Sequence, residues 1–137
     1  RREHSIETHL PFLQEVLGDF TLVPVVVGDA SDELVRRVIE ICWDAGMLIS
    51  VSSDLSHFHT YDEARAIDSE TAGWIEDGEW SALNGRRACG FRPVRGLMRF
   101  GAERGMQARL VDLRNSGDTA GDRDRVVGYG AFVMGER

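Results

Sequence analysis

Apolar residues in the first half of the chain follow two different periods. Between residues 5 and 18, Ile6, Leu10, Leu13 and Leu17 recur at helical spacing, and Gly18 is a natural stop. Pro11 interrupts this pattern, so the helix kinks there or begins only there. Residues 20–27 form a compact β-branched run ending at Gly28 and predict a buried strand. Ser31 is a good N-cap, with Asp32 and Glu33 in the first turn of a helix that carries Leu34, Val35, Val38, Ile39 and Cys42 on one side and ends near Gly46. Residues 47–52 are a second short apolar strand that runs straight into the polar cluster Ser53-Asp54-Leu55-Ser56-His57-Phe58-His59.

The second half reads as a helix over 61–77, a short helix over 79–84 and another helix over 90–104, with Pro93 tolerated in its first turn. Residues 106–113 alternate loosely and predict a strand. Residues 115–124 form a turn-rich loop containing Gly117 and Gly121. A final strand spans 126–134, with Gly128 and Gly130 as points of close backbone approach. Strands alternating with helices predict an α/β fold, a mixed sheet flanked by helices. No repeat, low-complexity tract or interdomain linker interrupts it, so residues 1–137 read as part of one domain.

Composition narrows the partners. The chain carries a formal net charge of -7, and all its cationic side chains are Arg. An acidic chain is a poor general ligand for nucleic acid or anionic membrane, which select basic faces. No apolar run approaches the roughly 20 residues of a membrane-spanning helix. Cys42 and Cys89 do not make a disulfide framework, and a reducing, cytoplasmic compartment is the default expectation.

Chemistry concentrates in a few places. Ser52-Ser53-Asp54-Leu55-Ser56-His57 directly follows a predicted strand, where functional groups of α/β sheets collect. A carboxylate three residues before an imidazole can orient it or share a metal with it. The same residues also suit an Asx-type turn with Asp54 as a cap, and spacing does not separate the two. His57 and His59 form an H-x-H pair that would point the same way in extended backbone, with His59 read as a surface loop residue.

Upstream, Glu3-His4-Ser5-Ile6-Glu7-Thr8-His9 places His4 on the N-cap side of the first helix and His9 on a different face, a solvated or half-buried helix position. Downstream, Arg86-Arg87-Ala88-Cys89-Gly90-Phe91-Arg92-Pro93 sets a cysteine just before a predicted helix among three arginines. A helix N-terminus and cationic neighbours favour thiolate over thiol, and a thiolate is a nucleophile, a redox centre or a soft ligand. Cys42, by contrast, reads as an inert thiol on its helix's apolar face. Residues 114–122 lack the Lys and spacing of a phosphate-binding loop; they either line a site or simply turn the chain.

Taken together, the strings EHSIETHLPFLQ, VPVVVG, SSDLSHF, CGFRPV and NSGDTAGDRDRVVGYGAF resemble the Memo family, also called AmmeMemoRadiSam system protein B. They occur in the family's order and span nearly the whole chain. The resemblance implies an extradiol-dioxygenase-like (LigB-type) fold, related to the class III non-haem iron dioxygenases. It also implies that the chain is N-terminally truncated, the C-terminal part of a single Memo-like domain. Strands 20–27 and 47–52 would then lack partners and expose edges, an aggregation hazard that predicts an unstable isolated chain. By the same resemblance, His4 matches a pocket metal ligand, Asp54 and His57 the pair of the S-S-D-x-x-H motif, and Cys89 the pocket cysteine. A further pocket histidine belongs to the family's N-terminal half and has no counterpart here.

Three functions follow as expectations. The first is a metal-binding protein with a vestigial or altered dioxygenase-type pocket and a redox role. In it His4, His57 and Cys89 hold the metal, iron or copper ahead of zinc, while Asp54, His57 and Cys89 carry the chemistry. The second is a non-catalytic module that binds a phosphorylated peptide or other anion through Arg86, Arg87, Arg92 and Arg95. The third is a metal-dependent hydrolase with Asp54 or His57 as base. The expected ligand is a small molecule or peptide, and the resemblance implies a functional link to radical SAM and AMMECR-type partners.

Overall fold

The computed structural model describes residues 5–119 and 121–136. Four α-helices and three strands are assigned there: α1 (Ser5–Leu17), α2 (Asp32–Asp44), β1 (His57–His59), α3 (Tyr61–Glu76), α4 (Phe91–Glu103), β2 (Met106–Asn115) and β3 (Val126–Glu136). Among the described residues the sheet is three-stranded and antiparallel, in the order β1-β3-β2, rather than mixed.

The difference from the sequence reading lies in two segments. Residues 20–27 and 47–52 enter no ladder, and Val23, Val25, Val26 and Leu48 are exposed. A β-branched run sets a preference for extended backbone, but a strand needs a neighbour to receive its hydrogen bonds, and none of the described strands pairs with either run. Residues 79–84 also shrink to a single 3₁₀ turn at Trp80–Ala82.

Elsewhere local chemistry sets the boundaries as expected. Ser31 caps α2 by accepting a hydrogen bond from the Leu34 amide (3.2 Å). Thr60 precedes α3, and Glu63 reaches back to accept from its amide and hydroxyl. Pro11 is accommodated inside α1. β2 and β3 pair from Met106–Glu136 to Asn115–Gly128, with one irregularity between Leu110 and Asp112. There the Leu110 amide donates to Glu76 Oε1 of α3 (2.8 Å), which ties the helix to the sheet.

Two apolar clusters hold these layers. One joins α2 to α4 through Val35, Ile39 and Phe100. The other packs Ile75 of α3 against Leu83 and Met98, with Phe132 and Met134 of β3 alongside. Above the first cluster, Arg36 of α2 pairs with Glu33, Glu40 and Glu103, and Arg104 of α4 pairs with Glu40. The helices approach closely because Gly96 faces Val35: a Cβ there would lie 2.4 Å from Val35 Cγ1 and 3.2 Å from the Arg36 amide. Gly96→Ala is therefore expected to cost about 1–3 kcal/mol through overpacking, measured as a lowered urea midpoint at unchanged slope. An unchanged midpoint would show that the α2–α4 contact is looser than described.

Candidate metal centre

The site is built by two segments far apart in sequence. Residues 52–56 run into β1, and Ala88–Gly90 leads into α4. They are locked by a reciprocal pair of hydrogen bonds: the Cys89 amide donates to the Asp54 carbonyl (3.1 Å), and the Asp54 amide donates to Cys89 Sγ (3.2 Å). Ser53 reinforces the junction, its hydroxyl donating to the Asp54 carbonyl (2.7 Å) and accepting from the Gly90 amide (2.9 Å). Gly90 is required by space: a Cβ would meet Ser53 Cβ at 2.8 Å and the Ser52 carbonyl at 2.9 Å.

This junction brings Asp54, His57 and Cys89 together. One ligand atom from each lies within 4.8 Å of the other two. His57 Nε2 is 3.5 Å from Asp54 Oδ2, with both side chains partly accessible. Cys89 is exposed and Cys42 half-buried, and both are free thiols. Metal–donor bonds of about 2.0–2.3 Å place donors around one tetrahedral ion roughly 3.3–3.8 Å apart. The Asp54–His57 separation already falls in that range, and small side-chain rotations would bring Cys89 to it. The imidazole, carboxylate and thiolate donors thus fit a single transition-metal ion.

His4 lies outside the described residues. His9 is on α1, where its Nε2 is 3.3 Å from Ser52 Oγ. Ser52 Oγ also donates to the Ser5 carbonyl (3.4 Å), so the first turns of α1 touch the segment that leads into the site. His59 is not among the clustered donors. Regular alternation fails between His57 and His59 because Phe58 has left-handed backbone (φ 62°) and the ladder shifts register there. Phe58 projects outward, beneath the guanidinium of Arg125.

Three of the four arginines expected to capture an anion face other partners. Arg87 bonds Glu70 (2.7 Å) and lies over Trp74, Arg92 bonds Asp29 (2.5 Å), and Arg95 bonds Asp32 (2.5 Å). The glycine-bearing loop after β2 is a tied turn. Asn115 Oδ1 accepts from the Gly117 amide, Asp118 accepts from the Asn115 amide and the Tyr61 hydroxyl, and Ser116 Oγ accepts from the Val127 amide. The Tyr61 hydroxyl and the Asn115 amide hold the Asp118 carboxyl below the usual range. A cavity of about 420 Å³ lies between α3, α4 and β2, lined by Ile75, Trp80, Met98 and Met134, and none of the three clustered donors borders it.

Sequence reasoning missed Asp68. It sits on α3, buried among Ala64, Thr71, Ala72 and Ile75. A carboxylate on the apolar face of an amphipathic helix was the available signal. Burial pushes the Asp68 carboxyl up, opposed by the Ser56 amide hydrogen bond and by the positive charge His59 and His57 carry when protonated.

The Memo-like protein family model matches residues 1–133. The chain belongs to the Memo family. It is 36% identical to a MEMO1 family protein of Methanosarcina acetivorans over 96% of this chain and 55% of the relative. It is 35% identical to one from Methanobrevibacter smithii (97% and 52%) and 32% identical to one from Thermoplasma acidophilum (96% and 52%). The chain spans about half the length of these curated relatives.

The raised Asp68 pKa has a definite sign in stability. The folded protein holds this proton more tightly than the unfolded chain, so stability is lost as pH rises from the ordinary carboxylate range through the folded value. Asp68→Asn, which keeps an oxygen acceptor, removes that loss. The melting temperature of the variant minus that of wild type should grow with pH across this acidic window and then level off. A difference independent of pH would contradict the raised value.

Proposed function

We propose that the chain carries a metal site of a Memo-type domain, an altered extradiol-dioxygenase-type (LigB-type) centre with a redox role. The observation that carries this reading is the convergence of Asp54, His57 and Cys89 on a space one ion can fill. Cys89 and His57 are the principal ligands. Asp54 either completes the set or orients His57 through the contact at 3.5 Å. His4 joins them on the family resemblance. A thiolate in the set departs from the 2-His-1-carboxylate triad of ring-cleaving iron enzymes, so the reading is a redox centre rather than a ring-cleaving one. Iron and copper suit a mixed nitrogen, sulfur and oxygen set and supply one-electron chemistry when bound; zinc would supply only Lewis acidity.

The chain's own groups act as follows. The Asp54 and Cys89 backbones hold the two ligand-bearing segments at fixed separation. The Asp54 amide donates a hydrogen bond to the sulfur and so fixes its position relative to Asp54. The exposed Cys89 leaves one side of the centre open to a small molecule or peptide in a reducing, cytosolic setting. Radical SAM and AMMECR-type proteins are the partner classes the family resemblance suggests. Arg87, Arg92 and Arg95 already face carboxylates, and this favours the metal reading over anion capture.

The test is anaerobic titration of the metal-free protein with iron(II) and copper(I), followed by metal analysis after desalting. Wild type should retain about one ion. His57→Ala and Cys89→Ala should each weaken binding by roughly 10-fold or more, as loss of a direct ligand does at least as much damage as loss of its supporting partner. Equal retention by wild type and both variants would refute the site assignment.

A further inference from the structure

The dipeptide between the two parts of the D-x-x-H motif, Leu55-Ser56, is held more tightly than either ligand. Leu55 is 4% exposed and Ser56 fully buried. Gly128 of β3 binds both residues: its carbonyl accepts from the Leu55 amide (2.9 Å) and its amide donates to the Ser56 carbonyl (2.9 Å). The remaining amide, that of Ser56, donates to Asp68 Oδ1 of α3 (3.0 Å). The other carboxyl oxygen, Oδ2, has no hydrogen-bond partner and rests against Gly128, where a Cβ would approach it to 1.9 Å. Glycine at 128 is what lets the carboxyl group in.

Packing does not explain this choice. Asp68 is 2% exposed, and a buried carboxyl with one unmatched oxygen is a net cost that an apolar residue would avoid. An apolar residue could not accept the Ser56 amide, however. That amide lies one residue before His57 and two after Asp54. We propose that Asp68 is a positioning residue, which with Gly128 fixes the Leu55-Ser56 backbone and so sets the separation of Asp54 and His57. The role rests on the metal reading above for its purpose, though not for its geometry.

The experiment uses cobalt(II) as the probe, followed by its thiolate charge-transfer absorption, on purified wild type, Asp68→Ala and Asp68→Asn. Phe100→Leu, a core change between α2 and α4, controls for lost stability. Asp68→Ala should bind cobalt about 10- to 100-fold more weakly, the usual effect of removing an outer support of a ligand. Asp68→Asn retains the acceptor and should stay close to wild type, as should Phe100→Leu. A second readout needs no metal. The Asp54 amide contacts Cys89 Sγ, so Asp68→Ala should change the rate of Cys89 alkylation by iodoacetamide, whereas Asp68→Asn and Phe100→Leu should not. Where Asp68→Ala does not fold, Gly128→Ala displaces the same carboxyl group and takes its place. Wild-type affinity in Asp68→Ala, or an equal loss in Phe100→Leu, overturns the proposal. A wild type that takes up no cobalt overturns the metal reading instead, and the alkylation rates then decide this one.

Discussion

Most of the order around the site depends on β3 being paired on both sides. One edge receives β2 along nearly its whole length, and the other receives His57–His59 and, through Gly128, the Leu55-Ser56 backbone. A strand of three residues has little stability of its own. β1 persists because its neighbour is already held by a long ladder, and because α3 packs behind it with a carboxyl group placed on Ser56. The donor cluster thus inherits its geometry from the β1-β3-β2 sheet.

The junction between residues 52–54 and 88–90 adds the second coordinate. A metal site assembled from loops is usually loose, because each loop samples its own conformations. Here the loops share three hydrogen bonds and a glycine contact that leaves no room for a side chain. Cys89 Sγ is itself an acceptor in this junction, so the sulfur is held by the Asp54 amide. Outside this junction, Arg36, Arg99 and Arg104 tie α2 to α4 through ion pairs with Glu33, Glu40 and Glu103.

Much of this was legible in the chain. Helix periodicity with Ser31 and Gly46 located α2, and the turn residues bracketed β2 and β3. The Ser-Ser-Asp-x-x-His string and the cysteine before α4 pointed to two of the segments that meet. The strand at His57–His59 was not visible, because it is short, polar and irregular at Phe58 and exists only through its pairing with β3. Residues 20–27 and 47–52 show the opposite failure: strong local preference for extended backbone, without a partner to make them strands. Asp68 was hidden for a third reason. Its role comes from a tertiary contact with Ser56 and Gly128, 12 residues before it and far after it.

The placement of Gly128 has a consequence for the order of synthesis. Every clustered donor precedes β3 in the chain, and the backbone bonds that align Asp54 with His57 cannot form until residue 128 has been made and folded back. Contacts of such long sequence separation form late. On the ribosome, Asp54 and His57 therefore spend an interval emerged from the tunnel but without the Gly128 backbone that aligns them. The alignment of Asp54 with His57 is thereby tied to completion of β3, and a nascent chain stalled before it would display both side chains without their final spacing.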